Sequence, residues 1–166
     1  MNLTLNLVTV EHSEHKALLR QKTAQIPFPL SPEIQQLIRA MKEKVMALGG
    51  VGLAAPQVGH ALNLCVYVIS EKAKLRRADA AETIPLTVLI NASYEPLFGA
   101  TEKKCDDWES CFSVTSTSKK VARYRRIKYT AQDELGNTIK GIAKGFTARV
   151  LQHEIDHLNG VLIIDL

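Results

Sequence analysis

The sequence predicts an α+β fold: mixed or antiparallel β-sheets packed around a C-terminal helix that carries the pattern HExxH. Three observations lead there. Apolar residues recur at helical spacing in two long stretches, residues 32–48 and 146–158. The β-branched apolar runs between them do not alternate with helices, which argues against a doubly wound parallel sheet. A chain of 166 residues, 46% hydrophobic and 23% charged, suffices for one core and not comfortably for two, so residues 1–166 are read as a single domain.

Ser31 and Pro32 suit the cap and first turn of a helix, and Ile34, Leu37, Ile38, Met41, Val45 and Leu48 then recur on one face until Gly49 and Gly50. The runs 62–69 and 86–90 read as strands, and the charged stretch 70–83 between them as a surface loop. Residues 126–133 and 138–143 read as a hairpin around Leu135-Gly136-Asn137. A last helix runs from Phe146 to Leu158, where Asn159-Gly160 stops it.

No apolar run approaches the ~20 residues of a membrane span, and the first residues lack a basic-then-apolar leader pattern, so no membrane contact and a cytoplasmic location are expected. Three cysteines leave one unpaired under any disulfide scheme, which suits a reducing compartment; Cys65, in an apolar run, reads as core. The formal charge of +4 is compatible with transient contact with a ribosomal surface but singles out no partner. Arg123, Arg125, Arg126 and Lys128 alternate with Tyr124, Ile127 and Tyr129, and read as an exposed strand face, with no specific nucleic-acid site.

The chemistry is concentrated at the end of the chain. His153 and His157 are four residues apart on the last helix, so both imidazoles can reach one ion, and Glu154 beside them can take a proton from water without binding the metal. The plain alternative is a pair of surface histidines. A catalytic site needs a third ligand. The HExxHxxGxxH pattern of one peptidase class fails because Ile163 stands where its last histidine belongs, and the nine residues after His157 hold one acid, Asp165. An upstream thiolate remains, from Cys111 in a short polar-flanked segment or from Cys105 in a more acidic one.

Three segments, in this order, resemble the peptide deformylases. Gly50 to Gln57 meets the family pattern GxGLAAxQ, Gln152 to Gly160 meets QHExDHLxG, and Glu109-Ser110-Cys111-Phe112-Ser113 stands where the family has EGCLS. The resemblance spans essentially the whole chain. It implies removal of the N-formyl group from N-formylmethionyl nascent peptides, with release of formate. It implies Cys111, His153 and His157 as metal ligands, Glu154 as general acid/base, and the Gln57 amide with the Phe112 N–H as oxyanion donors. Val51, Gly52, Glu109 and Phe112 are the expected substrate-contacting positions. It also implies one divalent ion, Fe2+ in the cell, replaceable by Zn2+, Ni2+ or Co2+; ligand counting alone would suggest zinc. A monomer is expected.

The departures from the family lie at the substrate rim. Ser110 replaces a glycine, so a left-handed backbone there would be strained; Phe112 replaces a leucine; Thr115 and Ser118 stand where many members carry proline and arginine. Thr147 and the ending Ile163 to Leu166 also differ, and docking to the ribosome through a longer tail is not expected. These changes leave room for a deformylase-like protein of altered amide substrate, or a catalytically weak metal-binding paralogue. Retention of both Glu154 and Gln57 argues against the latter, because metal storage needs neither.

Overall fold

A strand with apolar side chains on both faces needs cover on both, and the run Leu64–Ile69 (β2) is buried at every position. In the computed structural model, which describes residues 3–11 and 13–166, two helices supply that cover, one on each side. Leu64 and Val66 pack with Leu37, Ile38, Met41 and Val45 of helix α2 (Pro32–Ala47). Cys65 and Tyr67, on the opposite face, pack with Val150, Leu151, Ile155 and Leu158 of helix α4 (Gly145–Leu158). Full burial of each such side chain contributes about 1.5–3 kcal/mol, so the apolar stripes, more than helix propensity, dock both helices.

On one edge β2 pairs with β1 (Gly52–Ala54), and on the other with β3 (Ile84–Pro96). With β6 (Arg126–Gln132) and β7 (Thr138–Lys144) the order is β1-β2-β3-β6-β7, every pairing antiparallel. A separate two-stranded sheet joins β4 (Lys104–Cys111) to β5 (Val114–Tyr124). Two short helices, α1 (Ser13–Leu19) and α3 (Glu71–Leu75), complete the named elements. No described helix is long and apolar enough to cross a membrane.

The α+β class stands, and so do both long helices: the Ser31 hydroxyl accepts the Ile34 N–H at 3.4 Å. The hairpin stands too, its turn organised by Asp133, which accepts the N–H groups of Leu135 and Asn137 at 2.9 and 2.8 Å. Other expectations are corrected. The stretch 70–83 is not all loop, because Ser70 caps α3 by accepting the Ala73 N–H. The strand expected at 86–90 extends over thirteen residues. Its register shifts between Ile90 and Ser93, around Asn91 at φ 54°, so one strand serves β2 with its first half and β6 with its second. α1, β4 and β5 went unforeseen.

Candidate active site

Helix α4 fixes the spacing of the two histidines. The Nε2 atoms of His153 and His157 are 3.3 Å apart, and Cys111 Sγ is 3.3 Å from His157 Nε2. Cys111 ends β4, after a register irregularity between Glu109 and Cys111 that ends regular pairing beside α4. One sulfur and two imidazole nitrogens thus lie within 4.8 Å of one another, a donor set fit for one divalent transition-metal ion. Cys105, the competing cysteine, lies elsewhere: its sulfur is beside the Arg149 guanidinium.

Gln57 sits in a single 3-10 turn after β1. Its Oε1 accepts the Ala54 N–H at 2.9 Å, which settles the amide's orientation and turns Nε2 toward Cys111 Sγ, 3.6 Å away. Glu154 is buried, 4% exposed, with Oε2 unpartnered among the described residues, as is Nδ1 of His157. Burial is the largest cause raising the Glu154 carboxyl to about 7, opposed by the charge of His153. His153 is raised to about 10: burial opposes this, but hydrogen bonds with Cys111 and Glu109 prevail. His157 is driven down by burial and by the neighbouring His153.

A buried ionic network stands behind His153. Glu109 Oε2 meets His153 Nδ1 at 2.9 Å, and the carboxylate also receives Arg123 through Nε at 2.9 Å and Nη2 at 3.0 Å, and Arg149 through Nη1 at 2.8 Å. Burial would raise the Glu109 carboxyl, but Arg123 and His153 hold it well below the usual carboxylate range. Arg123 also binds Asp156, which accepts the Tyr94 hydroxyl at 3.0 Å. The expectation of an exposed strand face therefore fails at Arg123, which is buried, while Arg125 and Lys128 are exposed.

Of these groups Gln57, Glu109, Cys111, Arg149, His153 and Glu154 border one cleft of about 360 Å³, whereas His157, Arg123 and Asp156 lie behind its wall. Val51, Gly52, Gln57, Phe112, His153 and Glu154, all singled out in the sequence, line it. Glu109, expected to contact substrate, lines it too, with its carboxylate turned to His153 and the two arginines. Trp108, Phe146 and Arg149 also line the cleft and were missed. Arg149 could have been found as a cation one turn before His153 on the same face of the helix.

The departures at the rim are accommodated. Among the described residues only Asn91 is a non-glycine at positive φ, so Ser110 carries none of the expected strain. Its hydroxyl lies 2.7 Å from that of Ser118, so two of the changed positions face each other across the β4–β5 pair. At Thr115 the backbone N–H, which a proline would lack, donates to Glu11 at 3.1 Å.

Comparison with known proteins agrees with this geometry. The family model described as polypeptide deformylase matches residues 5–166. Peptide deformylase 2 of Rickettsia conorii is 42% identical over 166 residues, spanning 98% of this chain and 80% of its own length. Peptide deformylase 2 of Ralstonia nicotianae is 44% identical over 132 residues, 80% of this chain and 71% of its own. Among solved structures, the class I type b peptide deformylase of Acinetobacter baumannii with Met-Ala-Ser bound superposes with a TM-score of 0.82 at 25% identity, covering 99% of both chains. The Synechococcus elongatus peptide deformylase in complex with actinonin gives 0.78 at 32% identity, covering 97% of this chain and 79% of that one. By sequence along nearly its whole length, and by fold, the chain belongs to the polypeptide deformylase family, metal-dependent hydrolases that act on formylated nascent peptides.

Proposed function

We propose that Cys111, His153 and His157 hold the divalent ion, and that Glu154, Gln57 and Phe112 carry out the deformylation of N-formylmethionyl peptides beside it. The observation that carries this reading is the convergence of the three candidate ligand atoms within 4.8 Å, next to Glu154, whose Oε2 has no partner among the described residues. A divalent ion bound there supplies Lewis acidity toward the formyl oxygen and makes water a nucleophile at neutral pH. Iron(II) is the ion assigned in the cell, with zinc, nickel or cobalt able to replace it. That choice rests on kinship, since a thiolate and two imidazoles suit each of these ions.

Glu154, its carboxyl raised to about 7, accepts a proton from the attacking water and returns it to the departing amine nitrogen as the C–N bond of the formamide breaks. Formate and a free methionine amine result. Gln57 Nε2 and the Phe112 N–H donate to the oxygen on which negative charge develops. Because Ala54 fixes the Gln57 amide, that donor needs no reorganisation during the reaction. Val51, Gly52 and Phe112 contact the substrate, and the methionine side chain occupies the part of the cleft bordered by Val51, Phe112 and α4. Glu109 acts through His153, fixing its tautomer.

Residues 1–166 act as one catalytic domain, a monomer in the cytoplasm, meeting nascent chains with only transient ribosome contact. The test is a panel of formyl-Met, acetyl-Met and unmodified peptides at equal concentration. Formate release from the first alone is expected; preference for the acetylated peptide would contradict the substrate assignment.

A further inference from the structure

Arg149 lies one turn before His153 on α4, buried in the cleft wall, and none of the steps above uses it. Arginines on a helix commonly carry their charged head out to water. Here the head turns inward and is held in three directions. Nη1 donates to Glu109 Oε1 at 2.8 Å and to the Val121 carbonyl at 2.9 Å, and Nη2 donates to the Cys105 carbonyl at 2.8 Å. Cys105 and Glu109 belong to β4 and Val121 to β5, so one side chain ties α4 to both strands of the small sheet. That sheet carries Cys111, and α4 carries the two histidines. Ligand distances at a metal centre hold to within about 0.2 Å, so the relative position of sheet and helix decides whether three ligands converge.

We propose that Arg149 is a positioning residue for the metal centre: it fixes α4 against the β4–β5 sheet and holds Glu109 so that its other oxygen receives His153. The proposal rests on the ligand set given above. Arg123 does not duplicate this role. It lies on β5 itself, so its bonds to Glu109 stay within the sheet, and it reaches α4 only through the Asp156 carboxylate. Arg149 grips backbone carbonyls, which cannot swing aside as a carboxylate can. Lysine would keep the charge and lose the fork that reaches two strands at once.

The test uses metal-free protein titrated with Co2+, for the wild type, Arg149→Met and Arg149→Lys. The thiolate-to-cobalt absorption band and the Kd from chelator competition are read together with the melting temperature of the metal-free protein. Folded Arg149→Met is expected to bind about 10–100-fold more weakly, with an altered band, and Arg149→Lys to fall between it and the wild type. A merely structural role would lower the melting temperature and leave band and Kd alone; folded variants with wild-type values of both overturn the proposal. Should Arg149→Met not fold, Arg149→Lys decides by the same two readouts. A wild-type protein without a thiolate band would overturn the ligand set itself, and this proposal with it, whereas a wild-type band unchanged in the variants removes Arg149 alone.

Discussion

A methyl group on Gly52 would lie 2.3 Å from Glu154 Oε1, 2.6 Å from Cδ and 2.8 Å from Cγ. The glycine of the first motif and the glutamate of the last are thus in direct apposition, although about a hundred residues separate them in sequence. Gly50 stands in the same relation to Phe112, whose ring a methyl would meet at 2.7 Å. These glycines leave room at the cleft for the Glu154 carboxyl and the Phe112 ring.

Gly52→Ala is therefore expected to displace the whole Glu154 carboxylate, not only its tip, and to lower kcat by at least about 100-fold, the scale of a lost general base. Formate release with metal content measured in parallel checks it. Unchanged kcat at full metal occupancy would show that Glu154 need not stand where it does.

Gln57→Ala removes one oxyanion donor whose direction Ala54 fixes. A fall of about 10²–10³ in kcat, with little change in KM, is expected because the donor acts on charge that develops only in the transition state. A rise in KM alone would make Gln57 a ground-state contact.

Acidification is expected to weaken metal binding. With His153 raised to about 10 in the metal-free protein, an ion entering at neutral pH must displace a proton. Affinity should then rise with pH between about 6 and 9, with proton release detectable in weakly buffered solution. A Kd that stays constant over this range would contradict the ligand assignment.

Glu154→Gln should stabilise the metal-free protein at alkaline pH. The folded carboxyl titrates at about 7, above its unfolded value of 4.5, so the native state holds the extra proton between these limits. Stability from this group is full below 4.5 and is lost as pH rises through 7, a loss on the order of 3 kcal/mol for so buried a side chain. The variant should melt several degrees above wild type at pH 8, with the gap closing by pH 4.5. Equal melting temperatures at pH 8 would mean that the carboxylate is solvated.

The long helices and the central strand were legible because their buried positions are apolar and periodic. The β4–β5 sheet was not. Along β4 the inward positions are Cys105, Asp107, Glu109 and Cys111, so burial follows a period of two while hydrophobicity does not. Cys105 lies beside Arg149, Glu109 binds Arg123, Arg149 and His153, and Asp107 pairs with Arg77, which is why β4 lacks an apolar face. Cys111 was singled out from Cys105 only by the family resemblance of its motif, whereas the pairing of His153 with His157 was legible from spacing on one helix. The network of Arg123, Arg149, Glu109 and Asp156 was not, because a buried charge is intelligible only with its partners, and these come from β4, β5 and α4.

The account depends above all on Glu154 acting beside an ion held by Cys111, His153 and His157. The direct measurement is formate release from an N-formyl-Met peptide by anaerobically purified, iron-loaded protein, compared with Glu154→Ala carrying the same metal content. The account predicts turnover in the wild type and a loss of at least about 100-fold in the variant, with its metal retained. A metal-loaded Glu154→Ala protein that releases formate at the wild-type rate would contradict it.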